Sequence, residues 1–271
     1  MLKALLLPIL AVLGGGVGFF LRRWELATAF ESTGLAIPWA PASIALIILS
    51  LAVVLICALL CRNPQNKLTD YTEAIACPNN WLCLIALALS AACLLVAGLL
   101  GFRQSMVWGS PILRKLLWVM CIVSFFSVLV TAWNNFRGTN RKYSLALLAP
   151  GYTVCLWLVS SYQLQASDPV ILDYMYELFA VICTLLAIYF TASFSFGRGR
   201  AWRCAFFNLL GIYFSIVTFA DNHDGTIRLL LIFSILYQLT SVVVLLRRAF
   251  TALPKHLLDH SNTTQEVNPD E

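Results

Sequence analysis

Apolar residues run along this chain in long blocks, separated by short polar punctuation. Stretches near 4–21, 42–60, 81–102, 112–133, 145–163, 172–195, 204–220 and 228–246 approach or exceed the roughly 20 residues that an α-helix needs to cross a bilayer. Runs such as LIALALSAACLLVAGLLG lack the alternation of a membrane β-strand, and irregular backbone or open sheet edges cannot be satisfied against lipid. The pattern predicts an all-α fold: a polytopic transmembrane helical bundle of eight spans, one domain over 1–250. Met1 to Lys3 followed by ALLLPILAVLGGG also has the outline of a secretory signal. The apolar run continues through Phe19, Phe20 and Leu21 with no A-x-A site inside it, so we expect retention. Cleavage would leave seven spans with the sidedness of the rest unchanged.

Composition strengthens this picture. The chain is 60% hydrophobic and 11% charged, with a mean hydropathy of +0.82, whereas soluble domains carry about 25% charged residues. Such a sequence cannot cover its apolar surface in water. The exception is 251–271, polar and ending in acids, which is expected to be a disordered cytoplasmic tail.

Positive charge then orients the bundle. Of the 18 Lys and Arg, twelve fall on the side of the amino terminus: Lys3, Arg62, Lys67, Arg137, Arg141, Lys142, Arg198, Arg200, Arg203, Arg247, Arg248 and Lys255. Six fall on the other: Arg22, Arg23, Arg103, Arg114, Lys115 and Arg228. The positive-inside bias places both termini in the cytoplasm, and the compact loops suggest the plasma membrane of a bacterium. All nine cysteines lie in spans or on the cytoplasmic side, so no outer disulfide is expected. Cys57 and Cys61, at i,i+4, are read as packing residues rather than a metal or redox pair. Between the second and third spans, CRNPQNKLTDYTEAIACPNN is long enough for a surface helix near Lys67 to Ala76. No repeat relates spans 1–4 to spans 5–8 by eye.

Chemistry enters mainly through what is missing. There is no P-loop, G-x-S-x-G or H-E-x-x-H motif, and His223, His256 and His260 all lie outside the spans. We therefore expect no catalytic residue, metal, cofactor or nucleic-acid partner. The expected partners are the bilayer, a membrane or cytoplasmic protein, and an undefined small ligand. Polar side chains form stripes, namely Cys204, Asn208, Gly211, Ser215 and Thr218; Ser234, Gln238 and Ser241; and Ser124, Ser127 and Thr131. Small and hydroxylated residues let membrane helices approach one another, so these stripes read first as packing. Asn208 and Gln238 stand out because an amide in mid-span needs a partner or water. ADNHDGT gathers Asp221, His223 and Asp224, which we read as a solvated turn rather than a metal site.

Ionisable groups within spans are more telling. Asp173 and Glu177 share a face four residues apart, a repulsive spacing unless a cation or water intervenes. On the outer side the first four spans carry Arg22, Arg23, Arg103, Arg114 and Lys115 against Glu25 and Glu31, a net +3. The last four carry Arg228 against Asp168, Asp173, Glu177, Asp221 and Asp224, a net −4. This complementarity predicts that Arg22 or Arg23 reaches Asp173 or Glu177 in a cleft between the halves, with Arg22 and Glu25 also pairing locally at i,i+3. Anionic lipid head groups are the competing partners for these arginines. The expected role is a non-catalytic sensor or accessory subunit with a charged outer-face cleft. The alternative is a secondary transporter or permease for a small polar or charged solute, built on Glu177, Asp173, Asn208 or Gln238.

Overall fold

The computed structural model describes residues 2–30, 37–62, 68–107, 111–138, 144–165 and 171–250; side chains at 2–4, 144–145 and 171–173, and the whole 251–271 tail, lie outside the described residues. The helices are α1 (Leu2–Thr28), α2 (Pro41–Cys61), α3 (Tyr71–Ala74), α4 (Trp81–Val107), α5 (Ile112–Arg137), α6 (Ser144–Gln165), α7 (Ile171–Ser193), α8 (Ala201–Thr218) and α9 (Gly225–Phe250). A single 3-10 turn, Phe194–Phe196, follows α7, and there is no strand among the described residues.

Seven of these helices, α1, α2, α4, α5, α7, α8 and α9, are long and apolar enough to cross a membrane. The fifth predicted span corresponds to α6, a helix of 22 residues. Over its described side chains, 146–165, it is less apolar than those seven, with Pro150, Gly151, Tyr152 and Thr153 in its first half and Ser160, Ser161, Gln163 and Gln165 near its end.

Local sequence sets the boundaries. Pro41 occupies the first turn of α2, where its missing N–H costs nothing, and α5 ends on Gly138 at φ +64°, a left-handed cap. The predicted surface helix shrinks to the four residues of α3. Asp70 caps it by accepting from the Tyr71 N–H at 3.0 Å. Its carbonyls are then taken by Arg248, whose guanidinium donates to Thr72 O at 2.7 Å, to Glu73 O at 2.6 Å and to Ala76 O. Those backbone acceptors are satisfied without a further helical turn.

Neighbouring packing closes α4, α5, α6, α7, α8 and α9 into a ring, each helix touching the next and α9 returning to α4. Outside it, α1 lies along α8 and α9, with α2 against α1 and α8. The α1 contact is close because Gly18 carries no side chain: a Cβ there would sit 2.6 Å from Val217 Cγ2. Within the ring, Gly211 makes the space for Gln238, whose amide a Cβ would overlap. The two ends of the bundle are chemically different. One gathers the carboxyl end of α1, the amino ends of α5, α7 and α9 and the carboxyl ends of α6 and α8; the other holds α3, Asn135 of α5 and Arg248 of α9.

Candidate functional site

Arg22 is fully buried near the end of α1, where two carboxylates and an aromatic ring surround its guanidinium. Nε donates to Asp221 Oδ1 at 2.6 Å, Nη1 donates to Glu25 Oε2 at 2.7 Å, and the group stands 5.1 Å from the centre of the Tyr176 ring. A buried charge must be paired and hydrogen-bonded to be tolerated. Among the described residues, one partner is a turn away on the same helix and another is 199 residues along the chain.

Among the described residues the long-range partner of Arg22 is Asp221, in the turn between α8 and α9, while Glu177, one of the two acids expected, is bonded elsewhere. The reason lies in the packing: α1 runs along α8, so the end of α1 arrives beside the turn that follows α8. That turn is not simply solvated, since Asp221 is buried while Asn222 and Asp224 are exposed. Asp173 belongs to α7, but its side chain lies outside the described residues, as do Asp168 and Glu31.

Glu177, also buried, sits across the same end of the bundle. It accepts from Ser161 Oγ at 2.7 Å and from Gln165 Nε2 at 3.0 Å. Ser161 and Gln165 are one turn apart on α6, so a single helix face holds both carboxylate oxygens. His223 stands between the two acids, with Nδ1 3.9 Å from Glu177 Oε2 and Nε2 3.9 Å from Asp221 Oδ2. These separations are too long for hydrogen bonds. The result is a line of ionisable groups, Glu25, Arg22, Asp221, His223 and Glu177, running from α1 across the α8–α9 turn to α7. On the rim, Arg114 faces Asp224 at 3.6 Å.

Beside this line a cleft of about 240 Å³ opens between α5, α6, α7 and the α8–α9 turn. Trp118 and Trp157 wall it, each 1% exposed, and neither indole N–H has an acceptor. Gln165 Oε1 and His223 Nε2 are likewise buried without a hydrogen bond. Several unused donors and acceptors around one cleft are what a bound polar molecule or ordered water would satisfy. No trio of His, Cys, Asp and Glu converges as metal ligands among the described residues.

The remaining sequence candidates sit elsewhere. Arg23 is exposed, 5.8 Å from the Phe19 ring, and outside the network. Asn208 bonds within its own helix, donating to Cys204 O at 2.7 Å and toward Cys204 Sγ at 3.4 Å. Gln238 Nε2 donates across to Thr184 Oγ1 at 2.7 Å, tying α9 to α7. These two amides lie deeper in the bundle than the charged line. Sequence reasoning passed over Ser161, Gln165, Trp118 and Trp157; only the i,i+4 spacing of Ser161 and Gln165 offered a signal.

At the opposite end a water-sized cavity of about 10 Å³ lies under α3, lined by Tyr71, Cys77, Cys83, Asn135 and Tyr237 among others. Hydrogen bonding with Cys83, and then burial, pushes the Cys77 thiol above its ordinary value. It therefore rests as a thiol rather than a nucleophilic thiolate. Comparison with protein-family models, curated proteins and solved structures finds no match for this chain. Its described helices are those of a multi-pass membrane protein.

Proposed function

We propose that this chain is a non-catalytic membrane sensor or accessory subunit that receives a small solute in the cleft beside Glu177. Under this reading all eight long helices cross the bilayer, α6 shielded by α5 and α7, with both termini cytoplasmic and the cleft facing outward. The plasma membrane is the setting this orientation suits. The observation that carries the proposal is the junction of cleft and network: Glu177 and His223 line the cleft, and His223 leads to the buried pair of Asp221, in the α8–α9 turn, and Arg22, on α1.

The chemistry favours a solute with a cationic group. Glu25, Glu177, Asp221 and Asp224 against Arg22 and Arg114 leave a formal charge of −2 with His223 neutral. Indole rings are good surfaces for a cation, and their idle N–H groups suit an acceptor on the same molecule. A small amine or zwitterion meets both demands. Its arrival would change the field at His223 and so the balance between Asp221 and Glu177, a route from the cleft to α1.

A second reading is favoured by the ring. The cleft at one end and the cavity under α3 at the other both draw walls from α5, α7 and α9, as a solute path through the ring would require. Purified full-length chain in nanodiscs, titrated with a panel of small amines, amino acids and carboxylates, tests both. The expected result is saturable binding of an amine-bearing solute, weakened at least tenfold by Glu177→Gln, with no flux in proteoliposomes. Flux abolished by Glu177→Gln would establish the transporter reading instead. Failure of every solute to bind would overturn the cleft as a ligand site.

A further inference from the structure

A second concave site lies at the opposite end of the bundle, remote from the charged line. It measures about 600 Å³ and is bounded by α6, the end of α7, the Phe194–Phe196 turn and the start of α8. That size is within the roughly 300–1,000 Å³ of small-ligand sites. Arg198, Arg200 and Arg203 all line it, and no carboxylate does among the described residues. None of the three has an ion pair among the described residues, in contrast to Arg22 and Arg114 at the other end.

The rest of the wall is aromatic and aliphatic: Tyr189, Phe190, Phe196 and Leu148. Tyr189 and Phe196 are more than half exposed, as residues facing lipid would be. Arg203 is steered by its neighbours, standing 6.0 Å from the Phe190 ring centre and 5.2 Å from that of Trp202. The amino end of α8 opens at the same place. Arg200 is its cap residue and supplies no side-chain hydrogen bond to the first turn, leaving backbone N–H groups at the positive end of the helix dipole. Three guanidinium groups, an open helix start and an apolar floor at one membrane boundary form a receptor for something anionic at its head and apolar below.

We propose that Arg198, Arg200 and Arg203 bind a phosphate-bearing anion, with the aromatic floor receiving the apolar part of a phospholipid when the source is lipid. The inference is independent of the cleft beside Glu177, because it shares no residue with it.

The test uses the full-length chain, delipidated in neutral detergent and examined by native mass spectrometry with three probes: phosphatidylglycerol, phosphatidylcholine and inorganic pyrophosphate. Wild type is expected to retain phosphatidylglycerol over phosphatidylcholine. Arg198→Gln/Arg200→Gln/Arg203→Gln should weaken that retention roughly 100-fold, and Arg200→Gln alone, at an exposed position that packing does not need, about fivefold. A charge-matched control, Arg62→Gln/Arg137→Gln/Arg247→Gln, removes three cations that do not line the site and should change retention less than twofold. Pyrophosphate binding with the same variant pattern, and no lipid preference, would support the site with a soluble phosphate as its source. Binding of neither anion, or equal loss in the cradle and control variants, would overturn it.

Discussion

The two ends of the bundle solve the problem of placing charge beside a membrane in opposite ways. At one end, Arg22, Glu25, Asp221 and Glu177 are withdrawn from solvent and matched to one another or to Ser161 and Gln165. At the other, Arg248 is spent on the backbone carbonyls of α3, while Arg198, Arg200 and Arg203 stand in an open cradle. Buried charge gains strength from low dielectric but is costly to leave unpaired; exposed charge is nearly free and cheap to remove. Disruption should therefore be severe at the first end and mild or local at the second.

Arg22→Met is the sharpest way to break the contrast. It leaves Glu25 and Asp221 buried without their cation, and a cost of about 3–5 kcal/mol is expected, read as lost folded yield and a lowered unfolding midpoint. Gly211→Val should follow, because the new side chain meets the Gln238 amide and strains the α8–α9 contact; about 1–3 kcal/mol is expected, measured the same way. Arg248→Ala should cost less than Arg22→Met and act locally. Hydrogen exchange at Tyr71–Ala76 should rise while the global unfolding free energy falls by no more than about 1–3 kcal/mol. The smallest effect belongs to Arg23→Gln, within about 0.5 kcal/mol, because that exposed arginine has no buried charge partner among the described residues.

The adjacent pair Arg22 and Arg23 shows how far a sequence could be read. Hydropathy alone marked the helices, and the opposed charges of the two halves pointed to a long-range partner for one of these arginines. Which arginine faced inward depended on the rotation of α1 and on α8 being its neighbour; the glycines at 14–18 mark a closely packed helix but name neither. Asp221 looked like a turn residue because Asn222 and Asp224 around it are ordinary turn chemistry, yet it alone folds inward. The indoles of Trp118 and Trp157 were unremarkable as sequence; their idle N–H groups become visible only when their surroundings are known. The α6 helix was legible as a helix, while its polar ends blurred its standing as a span.

The claim on which the account rests is that Arg22 and Asp221 form a coupled buried pair joining α1 to the α8–α9 turn. A double-mutant cycle with Arg22→Met, Asp221→Asn and the combined variant, followed by reversible unfolding of the full chain in bicelles, measures that coupling directly. An interaction energy above about 1.5 kcal/mol is expected for a close charge pair of this kind. Additive effects, within about 0.5 kcal/mol, would show the two groups to be independent and contradict it.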